Sequence, residues 1–218
     1  VEKLAYEKNI PILKIGFDTI IDVGANKGQF SLIAREVNDC NIFAFEPLES
    51  AANIYGKIFA SNNQIKLFKS ALGSKKTRKI INISTNEDSS SIFDITINQT
   101  NYFKGTEKKG ELDINVIPLS TCLNSDMINK KTLLKIDVQG FELEVLKGAK
   151  KLFKNIDYIY CECSYIEFYS GQPLVNDILS YLHQEKFNLI GIHNQVYSNQ
   201  GRHLQADFLF KNIRNACD

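Results

Sequence analysis

Asp22, Gly24 and Gly28 stand in the run IIDVGANKGQFS, where an apolar stretch stops at an acid and two glycines follow four positions apart. Glu46 ends a second apolar run, NIFAFEP, and Asp137 and Glu162 stand in LLKID and YIYCEC. A glycine-rich turn directly after a strand brings backbone N–H groups close to a ligand, and an acid ending the next strand can accept hydrogen bonds from two ribose hydroxyls. That pairing points to an adenosine derivative. A dinucleotide fingerprint anchored on Gly24 would need glycines at positions 26 and 29, where this chain has Asn26 and Gln29, and the second glycine of that fingerprint is what lets a pyrophosphate approach the backbone. The lysine and Ser/Thr pair of a P-loop is missing as well. S-adenosylmethionine carries no phosphate and has an α-amino acid end that Asp22 and the loop backbone could hold. It is therefore the expected cofactor, with an NAD-dependent oxidoreductase as the rival reading. Gly24 and Gly28 could otherwise serve only a tight strand-to-helix turn, and Glu46 could be a surface acid stopped by Pro47.

Asp137 and Glu162 put two carboxylates at the mouth of such a site. In transfer of the cofactor's methyl group to an acceptor that must lose a proton, one of them could take that proton, an effect worth ~10²–10⁴-fold in rate. Alternatively the pair could hold Mg²⁺, a hard cation suited to oxygen ligands, which would acidify the acceptor. Asp137 could also cap the next helix or meet the cofactor's amino acid end. Of the three histidines, His193 in GIHNQ is the third catalytic candidate, His203 is a further loop residue, and His183 lies within the helical stretch VNDILSYLHQEK. Glu142 and Glu144 are expected to open a helix, where carboxylates complement the dipole.

Elements that alternate strand and helix must position these residues. Strands are predicted at Thr19 to Val23, Asn41 to Phe45, Ile65 to Lys69, Leu133 to Ile136, Tyr158 to Cys161, Phe187 to Ile192 and Ala206 to Phe210. Helices are predicted at Phe30 to Val37, Glu49 to Ala60, Glu142 to Phe153 and Val175 to Glu185. Such alternation implies βαβ units, a parallel sheet covered on both faces and the doubly wound α/β class. Residues 1–18 form a lead-in, and the Ser- and Asn-rich stretch 73–118 reads as an insertion of hairpins or loops before the fourth strand, all within one domain spanning 1–218. The candidate cofactor shell is Asp22, Gly24, Ala25, Asn26, Gly28, Glu46 and Pro47, with Ser70 and Ala71 just past the third strand, and Asp137.

The chain has 218 residues, 44% of them hydrophobic, and a net charge of +1. It can build a sizeable core, and its balance of charge offers no general attraction to nucleic acid or membrane. The basic run Lys75 to Lys79 reads as a solvated turn. No apolar stretch reaches the ~18 residues of a membrane span, and the first residues lack a signal-peptide layout, so a cytoplasmic protein is expected. The five cysteines, Cys40, Cys122, Cys161, Cys163 and Cys217, lack CxxC spacing and read as free thiols. Cys161 and Cys163 would face away from Glu162.

DVGANKGQFS, FAFEP, LLKIDVQGFELEVLKGAKKL, YCECS and QADFLF resemble, in that order, the motifs of the FkbM family of S-adenosylmethionine-dependent methyltransferases. The match runs from about Ile20 to Phe210, and KIDVQGFELEVLKGA is its most diagnostic part. The resemblance implies a seven-stranded class I methyltransferase sheet with an antiparallel last strand. It also implies methylation of hydroxyl oxygens of sugars, polysaccharide precursors or natural products. Many members read Glu where this chain has Gln139. Ser89, Ser90 and Ser91 resemble a serine pair common in the family, which could bond cofactor or acceptor. A non-catalytic adenosine-binding module is the second rival. Nucleic acid is not expected as the substrate, because the Asn/Asp-Pro-Pro-aromatic motif of base-amine methylation is absent.

Overall fold

The computed structural model describes residues 2–128 and 131–214; the expectation of a free thiol at Cys217 falls outside them. Helix α1 (Glu2–Leu13) leads to β1 (Thr19–Val23), α2 (Gln29–Val37), β2 (Asn41–Phe45), α3 (Glu49–Ile58), β3 (Ile65–Phe68) and the short β4 (Ala71–Leu72). The insertion then supplies β5 (Thr77–Ser84), a 3₁₀ turn at Glu87–Ser89, α4 (Ile97–Tyr102) and β6 (Lys108–Ile117). The chain returns through β7 (Thr132–Ile136), α5 (Glu142–Ala149), β8 (Tyr158–Ser164), α6 (Val175–Gln184), β9 (Phe187–Tyr197) and β10 (His203–Asn212).

Seven strands form one sheet in the order β3-β2-β1-β7-β8-β10-β9, in which β10 runs antiparallel to both neighbours. This is the mostly parallel α/β sheet with an antiparallel last strand that the sequence led us to expect. All five residues of β1 are buried, and their alternation distributes them between two cores. Ile20 packs with Ile12, Leu13, Phe30 and Ile33 under α1 and α2. Ile21 and Val23 pack with Val145, Leu146 and Ala149 of α5. Each such fully buried aliphatic side chain contributes roughly 1.5–3 kcal/mol. α2 buries Phe30, Ile33 and Ala34 on one stripe, the spacing of an amphipathic helix.

The insertion is more ordered than a loop. β4, β6 and β5 make a second, three-stranded sheet, and its Leu72, Ile81, Ile114 and Val116 join the α5 core. Thr77 to Lys79 therefore open a strand rather than continue a turn, although Arg78 and Lys79 are exposed. Several other boundaries differ from expectation, β9 running on to Tyr197 and β10 spanning His203–Asn212. α5 ends at Ala149 and tightens into a 3₁₀ segment, Lys150–Asn155. β8 continues to Ser164, so Glu162 lies within a strand rather than at its end. Long antiparallel pairing of β10 with β8 and β9 carries these strands past the apolar core. Cys161 and Cys163 are buried and unpaired, facing the α5 core.

Candidate active site

The strand order reverses between β1, which continues to β2, and β7, which continues to β8. Ligands of open α/β sheets sit outside the carboxyl ends of strands at such a point, and a cavity of about 330 Å³ lies there. Its depth depends on Gly24. That residue has φ +74°, and a Cβ placed on it would lie 1.8 Å from the Asp137 carbonyl oxygen. Only glycine lets the ends of β1 and β7 come so close.

One end of the cavity is apolar, lined by Leu48, Ala71, Leu72, Ile81, Ile114 and Phe141. Glu46 and Pro47 border it, and Gly24, Ala25 and Asn26 form the adjoining wall. Glu46 is 5% exposed. Its carboxylate accepts the Asn26 N–H at 2.9 Å on one oxygen and the Leu48 N–H at 2.8 Å on the other. Burial raises its pKa. The insertion forms the roof with Glu87, Asp88, Ser90 and Ile92. There the Asn26 amide donates to Asp88 (2.8 Å) and the Ser50 hydroxyl to Glu87 (3.1 Å).

The opposite end is polar, lined by Asn9, Lys135, Asp137, Gln139, Tyr160, Glu162 and Asp207. Gln139 joins the two sequence-predicted acids: its Nε2 donates to Asp137 Oδ1 at 2.7 Å and to Glu162 Oε2 at 3.2 Å. Glu162 Oε1 accepts the Gln205 amide at 2.9 Å. Burial, reinforced by the charges of Asp137 and Asp207, holds the Glu162 carboxyl well above its usual range. Asp207 is raised chiefly by burial and accepts Tyr160 Oη (2.9 Å) and Asn194 Nδ2 (2.7 Å). Lys135 donates to the Gly24 carbonyl at 3.0 Å and lies 3.1 Å from Asp22 and 4.0 Å from Asp137. Burial alone would lower its pKa, but the two carboxylates raise it on balance.

Four of the residues proposed from sequence lie outside this cavity. Asp22 alternates with Ile21 and Val23, so its side chain points beneath α2, where Ser31 Oγ donates to it at 2.7 Å and Lys135 pairs with it. It reaches the cavity only through Lys135. Gly28 has φ +95° and sits against Tyr55 and Phe59, where a Cβ would be 2.7 Å from the Phe59 ring, so it serves packing at the start of α2. Ser70 borders a separate shallow depression beside Lys76 and Arg78. His193 lies on the edge strand β9, opposite Asp207 in register, with its pKa lowered by burial. Of the serines in the insertion, Ser90 lines the roof and Ser91 Oγ donates to the Gln139 carbonyl at 2.6 Å. Glu142, buried at the start of α5, accepts the Gly140 N–H at 2.9 Å. No group of three or more His, Cys, Asp or Glu among the described residues is arranged to hold a metal ion.

Sequence reasoning missed Lys135, Gln139 as a bridge, Tyr160, Asn194 and Asp207. A lysine inside TLLKI and an acid inside QADFLF, each interrupting a buried strand, were the available signals. Among the described residues no helix is long and apolar enough to cross a membrane.

A family model described as the methyltransferase FkbM domain matches residues 22–189. The 2-O-methyltransferase NoeI of Sinorhizobium fredii is 24% identical over 170 residues, 75% of this chain and 70% of that protein. Methyltransferase sdnD of Sordaria araneosa is 28% identical over 154 residues, 60% of either chain. The hexuronic acid methyltransferase AglP of Haloferax volcanii is 26% identical over 160 residues, 66% of this chain and 55% of that one. Among solved structures, a putative RNA methyltransferase from Pyrococcus horikoshii aligns with a TM-score of 0.54 at 11% identity, covering 99% of this chain and 83% of that one. Magnesium protoporphyrin IX methyltransferase from Synechocystis, solved with bound S-adenosylmethionine, aligns at 0.53 and 9% identity, covering 97% and 79%. These two likenesses establish the class I methyltransferase fold.

Proposed function

The chain belongs to the FkbM family of S-adenosylmethionine-dependent methyltransferases, and from that premise we propose that it is a single catalytic domain methylating a hydroxyl of a sugar, a polysaccharide precursor or a comparable small polyol. The observation that carries this reading is the polar end of the cavity, where Asp137, Glu162 and Asp207 converge with Tyr160 and Gln139. Carboxylates, an amide and a phenol at that density suit an acceptor rich in hydroxyl groups. The printed names of NoeI and AglP, one a 2-O-methyltransferase and the other acting on hexuronic acid, agree with it. Family membership sets aside the oxidoreductase reading.

The donor set fits the cofactor. The apolar end has the character needed by an adenine ring. Glu46 uses one lone pair of each oxygen on backbone N–H groups, which leaves both oxygens able to accept ribose hydroxyls. The Gly24 carbonyl, with a lone pair left beside Lys135, remains for the ammonium of the amino acid end. S-adenosylmethionine supplies a methyl group on a cationic sulfonium. The chain's own work is to align the acceptor oxygen with that group, exclude water and receive the hydroxyl proton. Asp137, whose side chain is 41% exposed, is the base in this reading. Glu162, more readily protonated because of its burial, orients the acceptor.

The test is turnover of S-adenosylmethionine with a panel of hexosides, uronosides and lipid-linked sugars, followed by S-adenosylhomocysteine release and by locating the new methyl ether. Methylation confined to nitrogen acceptors would sink the hydroxyl reading. Cofactor binding without turnover on the whole panel would favour a non-catalytic module.

A further inference from the structure

The gap between Asp137 and Glu162 is where a bound Mg²⁺ would have to sit if those acids were its ligands, and it is filled by the side-chain amide of Gln139, whose two N–H groups reach 2.7 Å and 3.2 Å to the facing oxygens. Both N–H groups are thereby used, one on each acid. The orientation of the amide is set from behind, because Tyr169 Oη donates to Gln139 Oε1 at 2.7 Å. A flipped amide would turn its oxygen toward the two acceptor oxygens of Asp137 and Glu162 and lose both of those hydrogen bonds. The backbone is held as well: Gln139 has φ +54°, a left-handed conformation disfavoured for a residue with a Cβ, and Ser91 Oγ fixes its carbonyl at 2.6 Å. Such strain persists where surrounding contacts over-determine it. The remaining oxygens are also engaged, Glu162 Oε1 by Gln205 and Asp137 Oδ2 by Lys135 at 4.0 Å.

We propose that Gln139 is a positioning residue that takes the place of a divalent cation, so that Asp137 and Glu162 are held apart and aimed without any metal ion. This rests on the reading of those two acids as the acceptor-facing pair. A neutral amide offers each acid one donor at fixed distance, whereas a carboxylate at the same position would place three hard oxygen ligands around one gap, the kind of set that Mg²⁺ and Mn²⁺ take. The metal dependence of the site is thus decided by one side chain, and the tie from Ser91 to its backbone makes the insertion part of the support.

Titration of Mn²⁺ into the full chain, with the free ion read by electron paramagnetic resonance, tests this without cofactor or acceptor, so its failure is separable from failure of the hydroxyl-acceptor reading. Wild type is expected to leave the Mn²⁺ signal as in buffer at millimolar ion. Gln139→Glu is expected to take up one Mn²⁺ per chain, at least about tenfold more tightly than any wild-type uptake, and addition of Asp137→Asn should abolish the gain. If melting curves show Gln139→Glu to be unfolded, Gln139→Ala replaces it: the gap between the acids is then open and Mn²⁺ uptake should again exceed wild type. Stoichiometric uptake by wild type that Asp137→Asn removes would overturn the proposal, as would folded variants that gain none.

Discussion

Glu46→Gln separates the two tasks that one carboxylate performs. In the native site each Glu46 oxygen accepts a backbone N–H, from Asn26 at 2.9 Å and from Leu48 at 2.8 Å. A glutamine has one oxygen and one NH₂, so whichever way the amide lies, one of those N–H groups faces a donor at a residue only 5% exposed. An unpaired buried donor costs about 1–3 kcal/mol, and at roughly 2–4 °C per kcal/mol for a chain of this size the melting temperature should fall by several degrees. The ribose contact changes independently. A hydrogen bond to a charged acceptor is worth about 1.5–3 kcal/mol and one to a neutral acceptor about 0.5–1.5 kcal/mol. The difference of about 1–1.5 kcal/mol corresponds to roughly 5–13-fold weaker binding. Calorimetric titration of S-adenosylhomocysteine measures that part, and Glu46→Ala, which removes both acceptors, should be weaker still. A folded Glu46→Ala with wild-type affinity would remove Glu46 from the cofactor site. An unchanged melting temperature for Glu46→Gln would refute its role in tying β2 to the glycine loop.

Asp137→Asn should lower turnover at least ~10²-fold while changing S-adenosylhomocysteine affinity only a few-fold; normal turnover on a verified acceptor would end its candidacy as the base. Gly24→Ala should lose cofactor binding and lower the melting temperature sharply, because its Cβ would lie 1.8 Å from the Asp137 carbonyl and the clash is with backbone; an affinity within twofold of wild type would contradict the close approach of β1 and β7. Burial pushes Glu142 from 4.5 up to about 7. The folded chain therefore holds that proton more tightly than the unfolded chain does. The resulting stability, on the order of 3 kcal/mol, is complete below about pH 4.5 and is lost as pH rises through about 7. Melting curves of Glu142→Gln across that window should fall less steeply than those of wild type, and parallel curves would refute the assignment.

The central strands were legible because a parallel sheet covered on both faces demands short β-branched runs, and β1 and β2 have the bounds expected from sequence. The seven-stranded sheet and its antiparallel last strand came from the family resemblance, since periodicity carries no information about neighbours. Glu46 was legible as an acid closing a strand before proline. Asp22 was misplaced although alternation alone turns it to the face of Ile20 rather than into the cleft. Lys135 joins it there through register, with Asp22 opposite Lys135 across the β1–β7 pair, a relation between residues far apart in sequence. Gln139 stood out only as the position where many family members read Glu; its role as a bridge was not legible because it comes from Ser91, Tyr169 and Glu162, which are distant in sequence.

The roof and the floor of the cavity are fastened with different strength, and this bears on the catalytic cycle. The floor is tied by buried groups, Lys135 with Asp22 and Glu46 with two backbone amides. The 3₁₀ turn of the roof meets the glycine loop and α3 through the exposed pairs Asn26–Asp88, Lys27–Asp88 and Ser50–Glu87. Contacts of that exposed kind are worth at most about 1 kcal/mol each. Lifting that one short turn to exchange S-adenosylhomocysteine for fresh cofactor would break these exposed pairs and the Tyr169 hydrogen bond to the Ser89 carbonyl, and would leave the buried ties of the floor in place.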